Sequence, residues 1–307
     1  SMEYWLTTGN FTGTTYDLTL TYDLADDYFI LVRGSKDIDE HVSTYPDNDF
    51  IRVVELPGGK GDLPDSGASN VITLSRHVAD YTWEGVITVV ECLGNCDTSG
   101  FTLLDVAQTT MGNNVTSGTD TSSTAWSDID QVVLFGSIHG GGSEFDVDAT
   151  NYDYGNAGEA RLYPSSTNTI NWERNSSQSR LQVTTTTFVV EWGSEWEVHR
   201  VNIAATIATT GGCDATSEYN TASLGSTVNR ANTWVWGTGH SNQAGIGDNM
   251  ESTVIALGDG VAKNATESTV GWCGEYASTR SMDIYTMTHS GLTVDYQFKA
   301  ENGRASW

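Results

Sequence analysis

The sequence predicts an all-β protein made of three tandem β-sandwich modules of about 100 residues each. Three observations lead to this prediction. Short runs rich in Val, Ile, Thr, Phe and Trp are separated by Gly, Asn and Asp, which is the pattern of strands and turns. No segment combines a helical period with capping residues. The same succession of strands recurs three times along the 307 residues.

The clearest repeated feature is an apolar strand that ends in Gly followed by a hydroxyl residue. It is YFILVRGS around Gly34, QVVLFGS around Gly136 and NTWVWGT around Gly237. An acidic loop, a short strand, a turn, another strand and a long hairpin follow each time. Because these elements return in one order at a period of about 100 residues, we treat them as an internal repeat. The predicted modules are residues 3–100, 101–195 and 196–307, and the three Gly anchors are predicted to be structural.

The stretch 184–206 is predicted to form two strands that meet at a turn around Gly193. Its first strand ends the second module and its second strand starts the third, so we expect tight contact between modules. Glu91 and Glu191 hold matching places in this hairpin, and we predict structural roles for both, such as pairing with Arg76 or Arg174. Three copies in one chain can pack around a pseudo-threefold axis, but the sequence does not decide this.

The formal net charge is −26, from 40 acidic against 14 basic residues. Contacts with phosphate groups need clustered Lys and Arg, so neither nucleic acid nor an anionic membrane surface is an expected partner. No apolar run of about 18 residues occurs, so membrane insertion is not expected either. An acidic surface is common in saline or marine settings. The alternative is that some of the acids are placed for a specific ligand.

The four cysteines lie at two different places in the sequence. Cys92 and Cys96 stand across a predicted hairpin turn, whereas Cys213 and Cys273 both belong to the last third. A single CxxxC spacing is a weak signal for zinc. We expect two disulfide bonds, 92–96 and 213–273, if the compartment is oxidising, and free thiols otherwise.

The loops after the three Gly anchors are the predicted binding sites. His139 and His240 hold equivalent places, and carboxylates follow both of them. Oxygen-rich loops can hold calcium, for which the candidate ligands are Asp146, Asp148 and Asp153, although no EF-hand pattern is present. An exposed aromatic ring beside carboxylates suits a sugar. The predicted ligand-binding residues are therefore His139, Asp146, Asp148, Tyr152, Tyr154, His240 and Asp248, and the alternative is a set of solvated acidic loops.

The sequence carries no motif of a known catalytic centre, and we expect no enzymatic activity. It contains no G-x-S-x-G, no P-loop and no H-E-x-x-H. A glycosidase needs two carboxylates roughly 5–10 Å apart, and Glu91 and Glu191 are the pair to consider. Because both recur with the repeat, a structural role is favoured over a catalytic one.

Several motifs of the repeat carry a resemblance to a known group of proteins. They are Asp23 and Leu24 before the first Gly anchor, Arg52 and Arg76 on two later strands, and the VVEW and VHR runs that contain Glu191 and Arg200. In the order of these motifs the chain resembles virion and tail-associated proteins of tailed phages. The layout is similar to H-type-lectin-like β-sandwiches, which often trimerise and can bind sugars. The third copy departs from the pattern, since it lacks the Arg pair and the VVE run.

The resemblance implies a virion structural or receptor-binding protein on the tail or capsid exterior. Its partners would then be other virion proteins or copies of itself, and its location would be the virion exterior or another extracellular place. One alternative is a carbohydrate-binding lectin or adhesin that recognises cell-surface glycans, aided by calcium as cofactor. A polysaccharide-degrading enzyme is a further alternative, and the sequence favours it least.

Overall fold

The structure is a computed structural model that describes residues 2–11, 13–36, 51–75, 83–112, 114–136, 160–174, 183–206, 219–241, 253–258, 264–274, 279–294, 299–301 and 304–306. These residues form twenty β-strands, one α-helix, α1 (Cys96–Ser99), and short 3-10 turns. The prediction of an all-β fold is thereby confirmed. None of the helical segments within these ranges reaches the length and apolar character that crossing a membrane requires.

Eighteen of the strands fall into three consecutive sets of six, which we call the first, second and third units. The first unit holds β1 (Met2–Phe11), β2 (Thr15–Thr19), β3 (Tyr28–Lys36), β4 (Arg52–Glu55), β5 (Val71–Ser75) and β6 (Trp83–Cys92). The second holds β7 (Phe101–Met111), β8 (Ser117–Thr121), β9 (Val132–Gly136), β10 (Arg161–Ser165), β11 (Thr169–Glu173) and β12 (Val183–Trp192). The third holds β13 (Glu197–Thr206), β14 (Asn220–Asn229), β15 (Thr233–Ser241), β16 (Thr253–Leu257), β17 (Thr266–Gly274) and β18 (Thr279–Thr288), and a small hairpin of β19 (Lys299–Glu301) and β20 (Arg304–Ser306) follows.

The six strands of each unit make two three-stranded antiparallel sheets with one connectivity. The first, sixth and third strands form one sheet, as in β1-β6-β3, β7-β12-β9 and β13-β18-β15. The second, fifth and fourth strands form the other, as in β2-β5-β4, β8-β11-β10 and β14-β17-β16. The strand order therefore repeats three times, whereas the division of the chain into three modules stays a prediction.

Aromatic side chains from the third strand of each unit meet in one hydrophobic core. Phe29 of β3 and Phe135 of β9 stack with ring centroids 4.1 Å apart. Trp234 of β15 stacks on both, at 5.4 Å from Phe135 and 6.0 Å from Phe29. Trp192 and Phe101 pack at the edge of this group. The continuous buried cluster around these rings includes residues of all three units, so the units share a core.

The second and third units also have apolar cores of their own. Leu134, Leu162 and Trp172 are among the buried residues between the two sheets of the second unit. Ile284 and Trp272 belong to the corresponding cluster of the third unit. Both clusters join side chains from two facing sheets, which is the packing of a β-sandwich.

Two of the three Gly anchors correspond to each other in strand register, and the third does not. Gly136 pairs with Thr187 and Gly237 pairs with Ile284 on the sixth strand of their units. The corresponding residue of β6, Ile87, pairs with Val32, whereas Gly34 pairs with Gly85. The predicted equivalence of Gly34 is therefore wrong by two residues.

The reason for glycine at these two places is a close approach between sheets. A Cβ atom on Gly136 would clash with Leu162 Cδ1, and one on Gly237 would clash with Ile255 Cδ1. In the first unit the smaller side chains of Val32 and Val53 stand at the corresponding positions. Glycine on one sheet thus makes room for a larger side chain on the other.

Gly136→Ala is expected to destabilise the protein by about 1–3 kcal/mol, because the new methyl group overpacks the sandwich against Leu162. Urea denaturation followed by circular dichroism measures the change. The matched control is Gly112→Ala, whose Cβ would meet only Val115 Cγ2 at an ordinary 3.5 Å and which should change stability by less than ~0.5 kcal/mol. In the Gly136→Ala background, Leu162→Ala should cost less stability than it costs in the wild type, because it also removes the clash. Equal stability of the two single variants would contradict the close approach.

Candidate functional site

Most of the ligand-binding and metal-binding residues predicted from the sequence lie outside the described residues. They are His139, Asp146, Asp148, Tyr152, Asp153, Tyr154 and Asp248. His240 is described, near the end of β15. The binding sites in the acidic loops therefore stay a prediction. Of the predicted ligand-binding residues, His240 is the one whose surroundings the structure describes.

His240 belongs to a group of polar side chains at the junction of the second and third units, where the charges of Glu173 and Arg161 act on it. We call Arg161, Tyr163, Glu173, His240 and Asp283 the Arg161 cluster. Arg161 Nε donates to Asp283 Oδ2 at 2.6 Å, and Arg161 Nη1 donates to Glu173 Oε2 at 2.8 Å. The Tyr163 hydroxyl donates to Glu173 Oε1 at 2.8 Å, and its ring lies 4.2 Å from the guanidinium carbon of Arg161. One arginine therefore joins two carboxylates and a tyrosine.

Strand register brings these side chains together. Arg161 and Glu173 are direct cross-strand partners on β10 and β11. On the facing sheet, Asp283 is the cross-strand partner of Thr238. Two residues further along β15, His240 pairs with Ser281. Thr238 Oγ1 accepts from the Leu162 amide and donates to the Leu162 carbonyl, both at 3.0 Å. These backbone-directed bonds fix β10 on the third unit, and the Arg161 cluster forms beside them.

Burial governs the protonation of this cluster. Asp283 has 2% of its side chain exposed, against 34% for Glu173. Burial raises the pKa of Asp283, while the charges of Arg161 and Arg200 oppose that change. Burial also lowers the pKa of His240, and its Nδ1 atom has no hydrogen-bond partner within the described part of the chain. The neutral imidazole is thus favoured next to the arginine.

The chemistry of the Arg161 cluster is that of a structural contact that holds the second and third units together. A catalytic carboxylate must reach its substrate, and Asp283 is almost completely covered. Nε and Nη1 of Arg161 are already bonded to the two carboxylates. What the cluster offers to solvent is the partly exposed pair of Tyr163 and Glu173.

A second polar group contains serine, histidine and a carboxylate but has the wrong geometry for nucleophilic catalysis. Ser226 Oγ lies 2.8 Å from His199 Nε2 and 2.7 Å from Glu197 Oε1. His199 Nε2 also lies 2.8 Å from Glu197 Oε1. A triad needs one imidazole nitrogen for the serine and the other for the acid. Here both contacts fall on Nε2, so no proton relay exists.

Glu91 and Glu191 hold corresponding loops in place. Glu91 is fully buried and accepts from the Ala25 amide at 2.6 Å and from the Tyr22 hydroxyl. Glu191 accepts from the Ser127 amide, the Ser127 hydroxyl and the Asp128 amide at 2.8, 2.6 and 2.7 Å. In each case the carboxylate anchors the segment that leads into the third strand of the unit. Both carboxylates thus hold backbone segments of their own units.

The prediction that these two glutamates pair with Arg76 or Arg174 can be checked only for Arg174. The Arg174 side chain donates to the backbone carbonyls of Val115 and Met111, at 2.8 and 3.4 Å. Arg76 lies outside the described residues. In the third unit Thr288 replaces the glutamate, and its hydroxyl lies 2.8 Å from that of Thr233. Thr233 is itself the first residue of β15, so this side chain contacts the neighbouring strand and not the segment before it.

The cysteines and the predicted calcium site can be followed only in part. Cys92 and Cys96 are joined in a disulfide that closes the loop between β6 and β7. Cys273 is disulfide-bonded as well, while Cys213 lies outside the described residues. Among the residues that the structure describes, no three His, Cys, Asp or Glu side chains are grouped to hold a metal ion.

A scan against protein-family models gives no match to this chain, and a search of curated proteins gives no significant match.

The pH dependence of stability should contain a contribution from His240. Its pKa in the folded state is lower than in the unfolded chain because burial disfavours the charged ring. The folded state therefore binds the proton less tightly, so stability is complete above the unfolded value of about 6.5 and is lost as pH falls below it. The melting temperature of wild type should fall more steeply between about pH 7 and pH 5 than that of His240→Gln. Parallel curves would contradict this placement of His240.

Proposed function

We propose that the protein is a non-enzymatic virion component of phage-like type, placed on the tail or capsid exterior as a structural or receptor-binding protein. The observation that carries the proposal is the core shared by β3, β9 and β15, in which three units of one connectivity are joined. Such an assembly holds corresponding loops of the three units in fixed relative positions, which suits attachment to other proteins or to a cell surface. Three β-sandwich modules around a pseudo-threefold axis form part of this proposal.

Two further observations support an exterior location. The Cys92–Cys96 disulfide favours an oxidising compartment, because cytosolic proteins rarely keep such bonds. The net charge of −26 favours solubility and disfavours contact with packaged nucleic acid. The partners in this proposal are therefore other virion proteins, copies of the same chain, or a receptor on the host surface.

Immunogold electron microscopy of virions whose genome encodes the chain tests the proposal. An antibody raised against the recombinant protein should label the tail or the capsid surface. The control is the same antibody after absorption with the recombinant protein, which should give no label. Abundant protein in the infected lysate together with unlabelled particles would overturn the proposal.

A carbohydrate-binding lectin or adhesin is the second candidate, and the partly exposed face of the Arg161 cluster favours it. The Tyr163 ring stands beside the Glu173 carboxylate, with which its hydroxyl is bonded. Sugars use this combination, since the ring stacks on the sugar face and the carboxylate accepts hydroxyl protons. A broad glycan array with and without EDTA tests it, and Tyr163→Ala should abolish any binding at this place. An array without any bound glycan would exclude this second candidate.

A further inference from the structure

Arg52 starts β4 of the first unit at the position that Arg161 holds in β10 of the second. Arg52 lies opposite Ser75 on β5, just as Arg161 lies opposite Glu173 on β11. The following residues correspond too, because the carbonyls of Val53 and Leu162 both accept hydrogen bonds from the next unit. Each arginine therefore stands where one unit packs on the next.

The two arginines differ in the partners that the chain provides. Counting back from Glu191 and Thr288, which pair with the first residues of β9 and β15, places Thr186 at the position of Asp283. The Thr186 hydroxyl donates a hydrogen bond to the Val53 carbonyl at 2.7 Å. Across the neighbouring strand, Ser75 stands in place of Glu173. Both carboxylates of the Arg161 cluster are thus replaced by neutral residues at the first junction.

As a consequence, Nε and Nη1 of Arg52 are buried without a hydrogen-bond partner among the described residues. They are the same two atoms that bind Asp283 and Glu173 in Arg161. The Arg52 side chain is partly exposed, but these two donors are shielded from solvent, and a guanidinium keeps its charge in proteins, so leaving them unpaired is destabilising. Burial lowers the pKa of Arg52, whereas the two carboxylates act to raise that of Arg161. The site is therefore built for a negative charge that the described chain does not supply.

We propose that Arg52 binds a small oxyanion at the junction of the first and second units, with Nε and Nη1 donating to two of its oxygens. The planar fork of donors matches a carboxylate, sulfate or phosphate group. The third unit has Val254 at the corresponding position, one residue before Ile255, which pairs with Trp272 as Leu162 pairs with Trp172. The site is accordingly specific to the first junction.

Anion-dependent melting temperatures of the full chain test this site. The probes are sodium sulfate and sodium acetate, each compared with sodium chloride at equal ionic strength. Wild type should show a saturable upward shift with the oxyanions, since binding to the folded state alone stabilises it. Arg52→Met should lose this shift. General salting effects of sulfate act on every variant alike, so the difference between variants isolates the site.

Two substitutions at one neighbouring position complete the test. Thr186→Asp gives Arg52 a carboxylate at the position that Asp283 holds beside Arg161. It should therefore raise the melting temperature in chloride and remove the response to both oxyanions. The matched control Thr186→Val adds no charge and should keep the response. Equal responses of wild type and Arg52→Met would overturn the proposal, and so would a full response in Thr186→Asp. Since Thr186→Asp keeps the arginine, it decides the question even if Arg52→Met does not fold. A shift with only one oxyanion assigns the site to that source, inorganic or carboxylate.

Discussion

Asp283→Leu is expected to destabilise the folded protein by about 3 kcal/mol or more, because it leaves the largely covered Arg161 guanidinium without its most buried counter-charge. Arg161 Nε is bonded to Asp283 Oδ2 at 2.6 Å, and 2% of the Asp283 side chain is exposed. Leucine is larger than aspartate, so the substitution opens no cavity, and the double variant described next separates overpacking from the loss of charge. Guanidinium denaturation at about pH 7 measures the loss.

The control for this prediction is the other carboxylate on the same arginine. Glu173→Gln should cost less than ~1 kcal/mol, since a partly exposed ion pair contributes little. The double variant Arg161→Met with Asp283→Leu removes both buried charges, and its stability should return close to wild type. A double variant that is no more stable than Asp283→Leu alone would show that the arginine packs the junction by shape and not by charge.

Phe135→Ala is expected to lower the free energy of unfolding by about 3–5 kcal/mol, as truncation of a buried aromatic residue in a core does. Phe135 is 1% exposed and stacks on Phe29 of the first unit and Trp234 of the third. The variant should therefore also change the native indole signals of Trp234 and Trp236 in a nuclear magnetic resonance spectrum, although both belong to the third unit.

Leu134→Ala is the matched control, one residue away and on the opposite face of β9. Leu134 is equally buried but belongs to the core between the sheets of the second unit. It should destabilise by a similar amount, about 2–5 kcal/mol, while the indole signals of Trp234 and Trp236 stay in place. Unchanged signals in Phe135→Ala would mean that the rings do not meet as described.

The strands could be predicted because their signals are local. Runs such as VVLFG and YFILVRG are apolar, rich in β-branched residues and bounded by turn residues, so they can be recognised as strands without knowing which strands they pair with. Register is a different kind of information. Gly34 and Gly136 share a sequence motif, but Gly34 lies two residues beyond Val32, the residue of β3 that corresponds to Gly136. A motif shows that two strands are related without showing which residues face the second sheet.

The Arg161 cluster could not be found in the same way, because it depends on pairing between units. Arg161 is visible as a repeated arginine, but its partner Asp283 is 122 residues away and sits where the second unit has Thr186. Only the strand pairings reveal that these two positions correspond. The aromatic residues show the same limit, since Trp172 and Trp272 are predictable as core while the meeting of Phe29, Phe135 and Trp234 is not. For Glu91 and Glu191 the repeat predicts structural roles, but it does not reveal the backbone amides to which they are bonded.

Differential scanning calorimetry of the wild-type chain tests most directly whether the three units share one core. If Phe29, Phe135 and Trp234 join them, loss of one unit exposes apolar surface of the other two, and the chain should unfold in a single transition. The calorimetric enthalpy should then equal the van't Hoff enthalpy. Two or three separable transitions, each with the enthalpy of about 100 residues, would contradict the shared core and leave three independent modules on one chain.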